Sequence, residues 1–275
     1  MNGNCQVYTS LFNIEREKVD GRSIIEYQEW LRKTLDMFPS ILVFHDGTCS
    51  DMNLPTQNLI LIDKKNLEVF SYREKVVELL KVFKPIAPQD VTFKLPDYSL
   101  VQFSKFELAL MAQLHSNARA VLWVDAGISR FLHSPRKNSK KTFYKFEKQS
   151  KKLLEHQISM VLEVDVINNF IIKELKLAQS EIGSCRRVIS GTSFWMNSQY
   201  LSELNTIISH EIRAWLNLGI WDNEQVLLRN VISQLSNIKF VPQIFAETGG
   251  VARKMLNYKI SRLNLLDDFI THALN

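Results

Sequence analysis

The sequence is poor in cysteine, glycine and proline, and it contains no long hydrophobic run. Its three cysteines, Cys5, Cys49 and Cys185, are odd in number and far apart, which excludes a disulfide scaffold and the paired spacing of a structural zinc site. Nine glycines and seven prolines in 275 residues leave no obvious interdomain linker, so we expect a single domain over residues 1–275. No apolar run approaches the ~18 to 20 residues that span a membrane.

The expected compartment is the cytoplasm. The first ten residues have neither the positive nor the apolar region of a signal peptide, and unpaired cysteines fit a reducing environment. With 45% hydrophobic and 10% aromatic residues, the chain can fill a substantial core. This composition excludes intrinsically disordered and collagen-like proteins.

The positive charge is concentrated in one stretch, residues 136–152, which we call the basic segment. It holds eight lysines and arginines against one glutamate, a net +7, whereas the whole chain is +5 and the remainder is therefore −2. Phe143, Tyr144 and Phe146 lie between the lysines. Such a segment would lie on an anionic membrane surface, fold over a bound diphosphate as a lid, or remain a solvated surface helix. No nucleic-acid-binding motif accompanies it, so nucleic acid is not an expected partner.

Short β-branched runs alternate with segments of helical periodicity. This alternation predicts an α/β fold with a mainly parallel, mixed sheet flanked by helices. Capping boxes predict that helices begin at Ser23 and Ser104, and a third helix is expected to open with Asp222 as its N-cap. A helical tail is expected from about residue 250. The predicted strands are 5–11, 41–45, 59–62, 120–124, 160–164, 187–194 and 239–245.

The most informative motif is Trp123-Val-Asp125-Ala-Gly127. An aspartate directly after a buried parallel strand lies at the carboxyl edge of the sheet, where open α/β sheets bind ligands. Its carboxylate would hold a divalent cation that neutralises a diphosphate, and Gly127 would let the backbone approach that ligand closely. The alternative is that Asp125 only forms the turn that ends the strand.

Several motifs in chain order resemble the HtrL/YibB family of bacterial proteins, which is similar to GT-A glycosyltransferases. They are Val7-Tyr-Thr-Ser-Leu-Phe-Asn-Ile-Glu-Arg16, Ile41-Leu-Val-Phe-His-Asp46, the Ser104-Lys105 pair, the Asp125 motif, Ser190-Gly-Thr-Ser-Phe-Trp-Met-Asn197 and Asp222-Asn-Glu-Gln225. The resemblance covers residues 5–245. It implies a GT-A-like nucleotide-diphospho-sugar transferase fold and sugar transfer onto a glycan or lipid-linked glycan in lipopolysaccharide or capsule biosynthesis, at the inner face of the cell membrane.

The resemblance also implies a set of ligands and binding residues. The donor would be a nucleotide sugar such as a UDP-sugar, with Mn²⁺ or Mg²⁺ held by Asp125. The implied donor-binding residues are Tyr8, Thr9, Arg16, Asp46, Lys105, Asp125 and Gly127. Trp195 and Asn197 would contact the acceptor. Each of these side chains also has an ordinary structural alternative, in the core, on the surface or at a strand end.

A carboxylate base is needed if the transfer inverts the anomeric centre. Glu224 and Asp222 are the candidates from the resemblance, although Asp222 has the alternative role of a helix N-cap. A second acidic motif, Glu163-Val-Asp165, ends a predicted strand with both side chains on one face. It predicts either a cation site or, in preference, ordinary salt bridging and capping.

One departure from the GT-A pattern keeps a second function open. GT-A enzymes usually carry Asp-x-Asp at the metal site, whereas this chain has Asp125-Ala-Gly127. The alternative is therefore a non-catalytic nucleotide- or glycan-binding protein with a degenerate GT-A fold.

Overall fold

Seven strands form one sheet in the computed structural model, which describes residues 4–38, 40–131, 139–165, 181–185 and 189–243. The strands are β1 (Cys5–Leu11), β2 (Leu42–His45), β3 (Leu59–Leu61), β4 (Ala120–Val124), β5 (Met160–Asp165), β6 (Ile189–Asn197) and β7 (Ile238–Gln243). The helices are α1 (Glu17–Asp20), α2 (Ile24–Met37), α3 (Arg73–Val82), α4 (Val91–Lys94), α5 (Pro96–Ser116), α6 (Ser139–Glu155), α7 (Leu201–Leu218) and α8 (Glu224–Val231). Short 3₁₀ helices cover Thr56–Asn58, Lys64–Asn66, Glu68–Tyr72, Ile128–Phe131, Ser198–Tyr200 and Ile232–Gln234.

The strand order is β3-β2-β1-β4-β6-β5-β7. The β1–β2, β2–β3, β1–β4 and β5–β7 pairs are parallel, whereas β6 runs antiparallel to both β4 and β5. The sheet is therefore mixed but mainly parallel, as the alternation of strand and helix patterns predicts. The α/β fold class is confirmed.

The sheet is covered on both faces, as parallel strands require. On one face Tyr8 and Trp123 belong to a core cluster with residues of α5, α7 and α8. On the other face Val7 and Leu122 belong to a cluster with residues of α2 and α6, including Leu31. All five residues of β4 are buried, which explains why its sequence is apolar throughout.

Capping boxes predict two helix starts, of which one is confirmed and one is wrong. Ser23 caps α2 with the reciprocal Glu26 bonds of a capping box. The predicted start at Ser104 is wrong, because α5 begins eight residues earlier at Pro96 and the Ser104 hydroxyl donates to the Val101 carbonyl inside the helix. Proline is favoured at the first helical position, where its missing N–H costs nothing.

The predicted strand bounds agree best with the structure for two strands. β1 and β4 have the predicted ends, and β6 extends three residues beyond its predicted end, to Asn197. Residues 187–188, 244–245 and the predicted tail from about 250 lie outside the described residues, and the single domain stays a prediction. Of the helices that the structure describes, none is long and apolar enough to cross a membrane.

Candidate functional site

The carboxyl ends of β1 and β4 lie side by side where the strand order of the sheet reverses. From β1 the chain adds β2 and β3 on one side and then places β4 on the other side of β1. In open α/β sheets, ligands bind in the crevice outside the carboxyl ends of the strands at such a topological switch point. Asp125 directly follows β4, so the structure puts it at this edge.

Ser10 is the neighbour of Asp125 across the switch point. Tyr8 pairs with Trp123 in the parallel β1–β4 ladder. Ser10 and Asp125 follow these two residues by two positions each. Ser10 is only 8% exposed, and its hydroxyl has no hydrogen-bond partner within the part of the chain that the structure describes. A buried hydroxyl without a partner is costly, and a ligand or water that bonds to the Ser10 hydroxyl would remove this cost.

The half-buried carboxylate of Asp125 is fixed by its own turn. Its Oδ1 atom accepts the Gly127 N–H at 2.8 Å. The Asp125 backbone N–H donates to the Thr192 carbonyl on β6, also at 2.8 Å. The orientation of Asp125 therefore depends on the position of the Thr192 backbone in the first part of β6.

That part of β6, residues 190–193, bulges out of the β5–β6 ladder. Leu162 of β5 pairs with Phe194 and Val164 pairs with Ile189, so the single residue Glu163 faces four residues of β6. Bulges re-aim side chains and are frequent beside active sites. Here the bulge places the Thr192 carbonyl next to the backbone N–H of Asp125, and it places the Thr192 and Ser193 hydroxyls next to Glu163.

Gly191 in the bulge is a meeting point of buried polar groups. Its carbonyl accepts from Lys105 Nζ at 3.2 Å and from Trp123 Nε1 at 3.1 Å. A Cβ at this position would overlap with Glu224 Oε1. A larger residue at this position would therefore require the Glu224 side chain to move.

Lys105 and Glu224, two of the predicted site residues, form a buried ion pair. Lys105 Nζ lies 2.9 Å from Glu224 Oε1, and the two side chains are 2% and 6% exposed. The ammonium also lies 5.0 Å from the ring centroid of Trp123. The structure thus brings the predicted cation and the predicted base together, but each neutralises the other.

Glu163 is a buried carboxylate held by hydroxyl groups. Its Oε1 accepts from Ser193 Oγ at 3.1 Å, and its Oε2 accepts from Thr192 Oγ1 at 3.2 Å. Thr192 Oγ1 in turn lies 2.5 Å from Ser190 Oγ. Burial raises the pKa of Glu163, and the hydrogen bonds from the three hydroxyl residues oppose this only in part.

Asp222, the other predicted base, is a structural anchor. Its Oδ2 accepts the N–H groups of Gly183 and Cys185 at 2.7 and 3.3 Å, and its Oδ1 accepts the Asn223 N–H at 2.8 Å. Burial raises the pKa of Asp222. The predicted N-cap is also shifted by one residue, since Asn223 caps α8 by accepting from the N–H groups of Gln225 and Val226. Asp222 is fully buried and bound by three backbone N–H groups, so its carboxylate is not exposed to a substrate hydroxyl.

Arg16 is engaged by the protein itself. It forms an ion pair with Asp20 at 2.7 Å, donates to the Tyr27 hydroxyl at 2.9 Å, and stacks 4.8 Å from the ring centroid of Tyr98. Its predicted contact with a diphosphate would have to replace these partners.

Asp46 does lie at the carboxyl edge, after β2. Its Oδ1 accepts the Asn13 N–H at 3.3 Å, and its Oδ2 lies 3.8 Å from Lys64 Nζ. Lys64 also donates to the Asn13 carbonyl at 2.7 Å. These contacts tie together the loops that follow β1, β2 and β3 next to the switch point.

Four other predicted residues point into the core. The Tyr8 hydroxyl donates to the Lys105 carbonyl at 2.8 Å, and Thr9 is fully buried on the opposite face of β1. Trp195 is fully buried and donates to Ser150 Oγ, while Asn197 bonds to the Ile158 carbonyl and caps the next 3₁₀ helix. These contacts leave no surface of Trp195 or Asn197 for a sugar, and Asn197 pairs with Ala120 at the opposite edge of the sheet.

The lysines of the basic segment whose side chains the structure describes lie toward the amino end of β1, whereas Asp125 lies at the carboxyl edge. Glu147 Oε2 accepts the Asn4 N–H at 2.8 Å, which fixes α6 to the amino end of β1. The exposed residues Lys148, Lys151 and Lys152 follow Glu147 on this helix and therefore do not cover a diphosphate at the carboxyl edge. The earlier lysines lie outside the residues whose side chains the structure describes.

Asp125 would be the protein's ligand for a divalent cation. Among the residues that the structure describes, no group of three or more His, Cys, Asp or Glu side chains could hold a metal ion. Mg²⁺ is often bound by one or two carboxylates together with substrate phosphates and water. One carboxylate at the switch point fits that mode and does not fit a cage made by the protein alone.

Sequence reasoning missed the bulge and the role of Gly191. The signal was present, because a glycine inside a strand pattern indicates a bulge or a close backbone approach. The Ser190-Gly-Thr-Ser193 run combines such a glycine with three hydroxyl residues. It also contains the partners of Glu163, which the sequence alone could not assign.

Comparisons with known proteins give no family. No family model matches the chain, and no curated protein matches it. Among solved structures, the crystal structure of 4-diphosphocytidyl-2C-methyl-D-erythritol synthase from Anaerococcus prevotii DSM 20548 aligns with a TM-score of 0.37 and 11% identity, over 100% of this chain and 98% of that one. A likeness of this size identifies neither a family nor a function.

Proposed function

We propose that this protein is a glycosyltransferase with a GT-A-like fold that uses a nucleotide sugar as donor. The observation that carries the proposal is the position of Asp125 and Ser10 at the β1/β4 switch point, where they follow the paired residues Trp123 and Tyr8 by two positions. The buried Ser10 hydroxyl has no hydrogen-bond partner among the described residues. The mainly parallel mixed sheet and the motifs that resemble the HtrL/YibB family support it.

The site residues would act mainly by binding and orienting the donor. Breaking the bond between a sugar and a diphosphate places negative charge on the leaving nucleoside diphosphate, and this charge must be stabilised. A divalent cation held by Asp125 would supply that stabilisation. Ser10 would donate its hydroxyl to a donor oxygen, and Asp46 would accept from the nucleoside. Lys105 would act indirectly, because its charge is already balanced by Glu224.

The acceptor would be a glycan or lipid-linked glycan of bacterial lipopolysaccharide or capsule. This part of the proposal, and a place at the inner face of the cell membrane, depend on the resemblance. The exposed lysines of α6, Lys148, Lys151 and Lys152, offer a surface for anionic lipid headgroups.

The experiment measures donor use and nucleotide binding together. Purified protein is assayed for hydrolysis or transfer with UDP-, GDP- and CMP-sugars, and UDP binding is measured by calorimetry with and without Mn²⁺. We expect Asp125→Asn to abolish the Mn²⁺-dependent part of binding. Asp63→Asn is the matched control, because Asp63 accepts a backbone N–H two residues ahead in the same way but follows the outer strand β3. Absence of both turnover and nucleotide binding in the wild type would refute the proposal.

A second candidate is a non-catalytic nucleotide- or glycan-binding protein. It is favoured by the Asp125-Ala-Gly127 motif, which lacks a second carboxylate, and by the ion pair and N–H bonds that already engage Glu224 and Asp222. UDP binding without turnover of any donor, across a set of glycan acceptors, would select this candidate.

A further inference from the structure

The carboxylate of Glu163 differs from the other buried carboxylates at this edge in its hydrogen-bond donors. Glu224 is bound by an ammonium group and Asp222 by three backbone N–H groups. In the contacts that the structure describes, Glu163 accepts only from neutral hydroxyl groups, those of Thr192, Ser193 and Ser190. Backbone N–H and ammonium groups donate only, whereas a hydroxyl both donates and accepts. A proton can therefore reach Glu163 through its partners.

Thr192 connects this carboxylate to the surface of the site. Glu163 is 6% exposed, but Thr192 is half-buried and its hydroxyl contacts both Glu163 Oε2 and Ser190 Oγ. The Thr192 carbonyl accepts the N–H of Asp125. The same residue thus joins Glu163 to the turn that carries the proposed donor-binding carboxylate.

We propose that Glu163 accepts the proton of the acceptor hydroxyl through the hydroxyl group of Thr192. This inference rests on the proposed glycosyltransferase function. The acceptor O–H gives its proton to Thr192 Oγ1, and the Thr192 proton passes to Glu163 Oε2. The acceptor oxygen forms a bond to the anomeric carbon, the bond from that carbon to the diphosphate oxygen breaks, and the electron pair leaves with the nucleoside diphosphate. The proton then returns to water by the same path.

The electrostatic surroundings suit this role. Burial raises the pKa of Glu163, and a general base works best when its pKa lies near the operating pH. Charged residues on the surrounding strands are Lys239 of β7, which pairs with Val161 two residues before Glu163, and Asp125, which follows β4 on the far side of β6. The Lys105–Glu224 pair lies beyond Gly191. Asp165 is the other acidic residue of β5.

The test separates proton transfer from donor binding. With a donor that the wild type uses, Glu163→Gln should lower kcat by about 10² to 10⁴-fold and leave the donor KM and the UDP affinity unchanged. Thr192→Val should lower kcat in the same way, and Thr192→Ser should restore it because serine keeps the hydroxyl. Glu107→Gln is the matched control, since burial also raises the pKa of Glu107 but this carboxylate accepts the backbone N–H of Glu68 instead.

The outcomes distinguish this inference from the proposed function. Wild-type kcat in Glu163→Gln, or a joint loss of kcat and UDP binding in that variant, would overturn the inference and leave the glycosyltransferase standing. A loss of kcat in Glu224→Gln alone would assign the proton to Glu224 instead. If the wild type binds UDP and transfers no sugar, the proposed function fails, and the proton path fails with it.

Discussion

Lys105 of α5 and Glu224 of α8 form an ion pair of 2.9 Å in the interior of the protein, directly behind Gly191 of the β6 bulge. The pair joins two helices to the strand whose Thr192 carbonyl accepts the N–H of Asp125. A lysine and a glutamate this deeply buried are costly to desolvate. Their position suggests that the cost is tolerated because the pair fixes the backbone beside the switch point.

The ion pair predicts a strongly non-additive pair of substitutions. Lys105→Met should destabilise the fold by about 3 to 5 kcal/mol, because it leaves the charge of Glu224 buried and unpaired. Glu224→Leu should cost a similar amount. The double variant should be much closer to the wild type, since hydrophobic replacement of a whole buried pair is often neutral or stabilising. Urea unfolding of the four proteins gives the coupling energy.

The surface ion pair of Lys81 and Glu78 is the control for this cycle. Both side chains are more than half exposed and lie on one helix, with Lys81 Nζ 2.6 Å from Glu78 Oε1. Their coupling energy should therefore stay below about 0.5 kcal/mol. If the Lys105–Glu224 coupling is equally small, the buried pair has no structural role.

Gly191 predicts a steric effect that depends on Glu224. In Gly191→Ala the new methyl group would overlap with Glu224 Oε1, and that carboxylate cannot move without leaving Lys105. We expect a loss of about 1 to 3 kcal/mol in unfolding free energy and weaker UDP binding through the displaced Asp125 turn. Gly47→Ala is a useful comparison, because a Cβ there meets no atom and only the positive φ of 101° opposes it. An unchanged UDP affinity in Gly191→Ala would show that the bulge does not position Asp125.

The two unpartnered hydroxyls of β1 predict different effects on binding. Ser10→Ala and Thr9→Val each remove a buried hydroxyl without a hydrogen-bond partner among the described residues, so both should leave stability unchanged or raise it by about 1 kcal/mol. Only Ser10 lies on the face that leads to Asp125. Ser10→Ala should therefore weaken UDP binding by about three- to tenfold, the value of one hydrogen bond, and Thr9→Val should not. Calorimetry on both variants checks this, and equal affinities would remove Ser10 from the site.

Local patterns in the sequence predict well where some of the strands begin and end. Ala120–Val124 is apolar on both faces and ends at an aspartate, so its place in the interior and the position of Asp125 follow from five residues. The Ser23 capping box is also a local feature. Ser104 shows the limit, because the same type of motif occurs inside a helix whose start is determined by Pro96.

Pairings between distant residues account for most of what the sequence could not predict. Lys105 and Glu224 are 119 residues apart, and neither shows from its neighbours that it is buried. Trp195 looks like an exposed aromatic residue among Ser, Thr and Asn, yet strand alternation turns it toward Ser150 of α6. The resemblance placed Asp222 at the start of a helix, but its N–H donors come from residues 183, 185 and 223, two of which only the tertiary fold brings near.

The raised pKa of Glu163 predicts that Glu163→Gln is more stable than the wild type by an amount that depends on pH. Because burial raises the pKa of this carboxyl, the folded protein holds its proton more tightly than the unfolded chain. The stabilisation by the protonated form is complete below the pKa of the unfolded chain, about 4.3, and is lost as the pH rises through the higher folded pKa. Glutamine does not ionise, so the advantage of the variant should grow across this window by about 1.4 kcal/mol per pKa unit and then level off. Urea unfolding of both proteins between about pH 4 and pH 8 measures the difference, and a pH-independent difference would contradict the raised pKa. A variant that is more stable at neutral pH but slower in sugar transfer would also separate a functional carboxylate from a structural one.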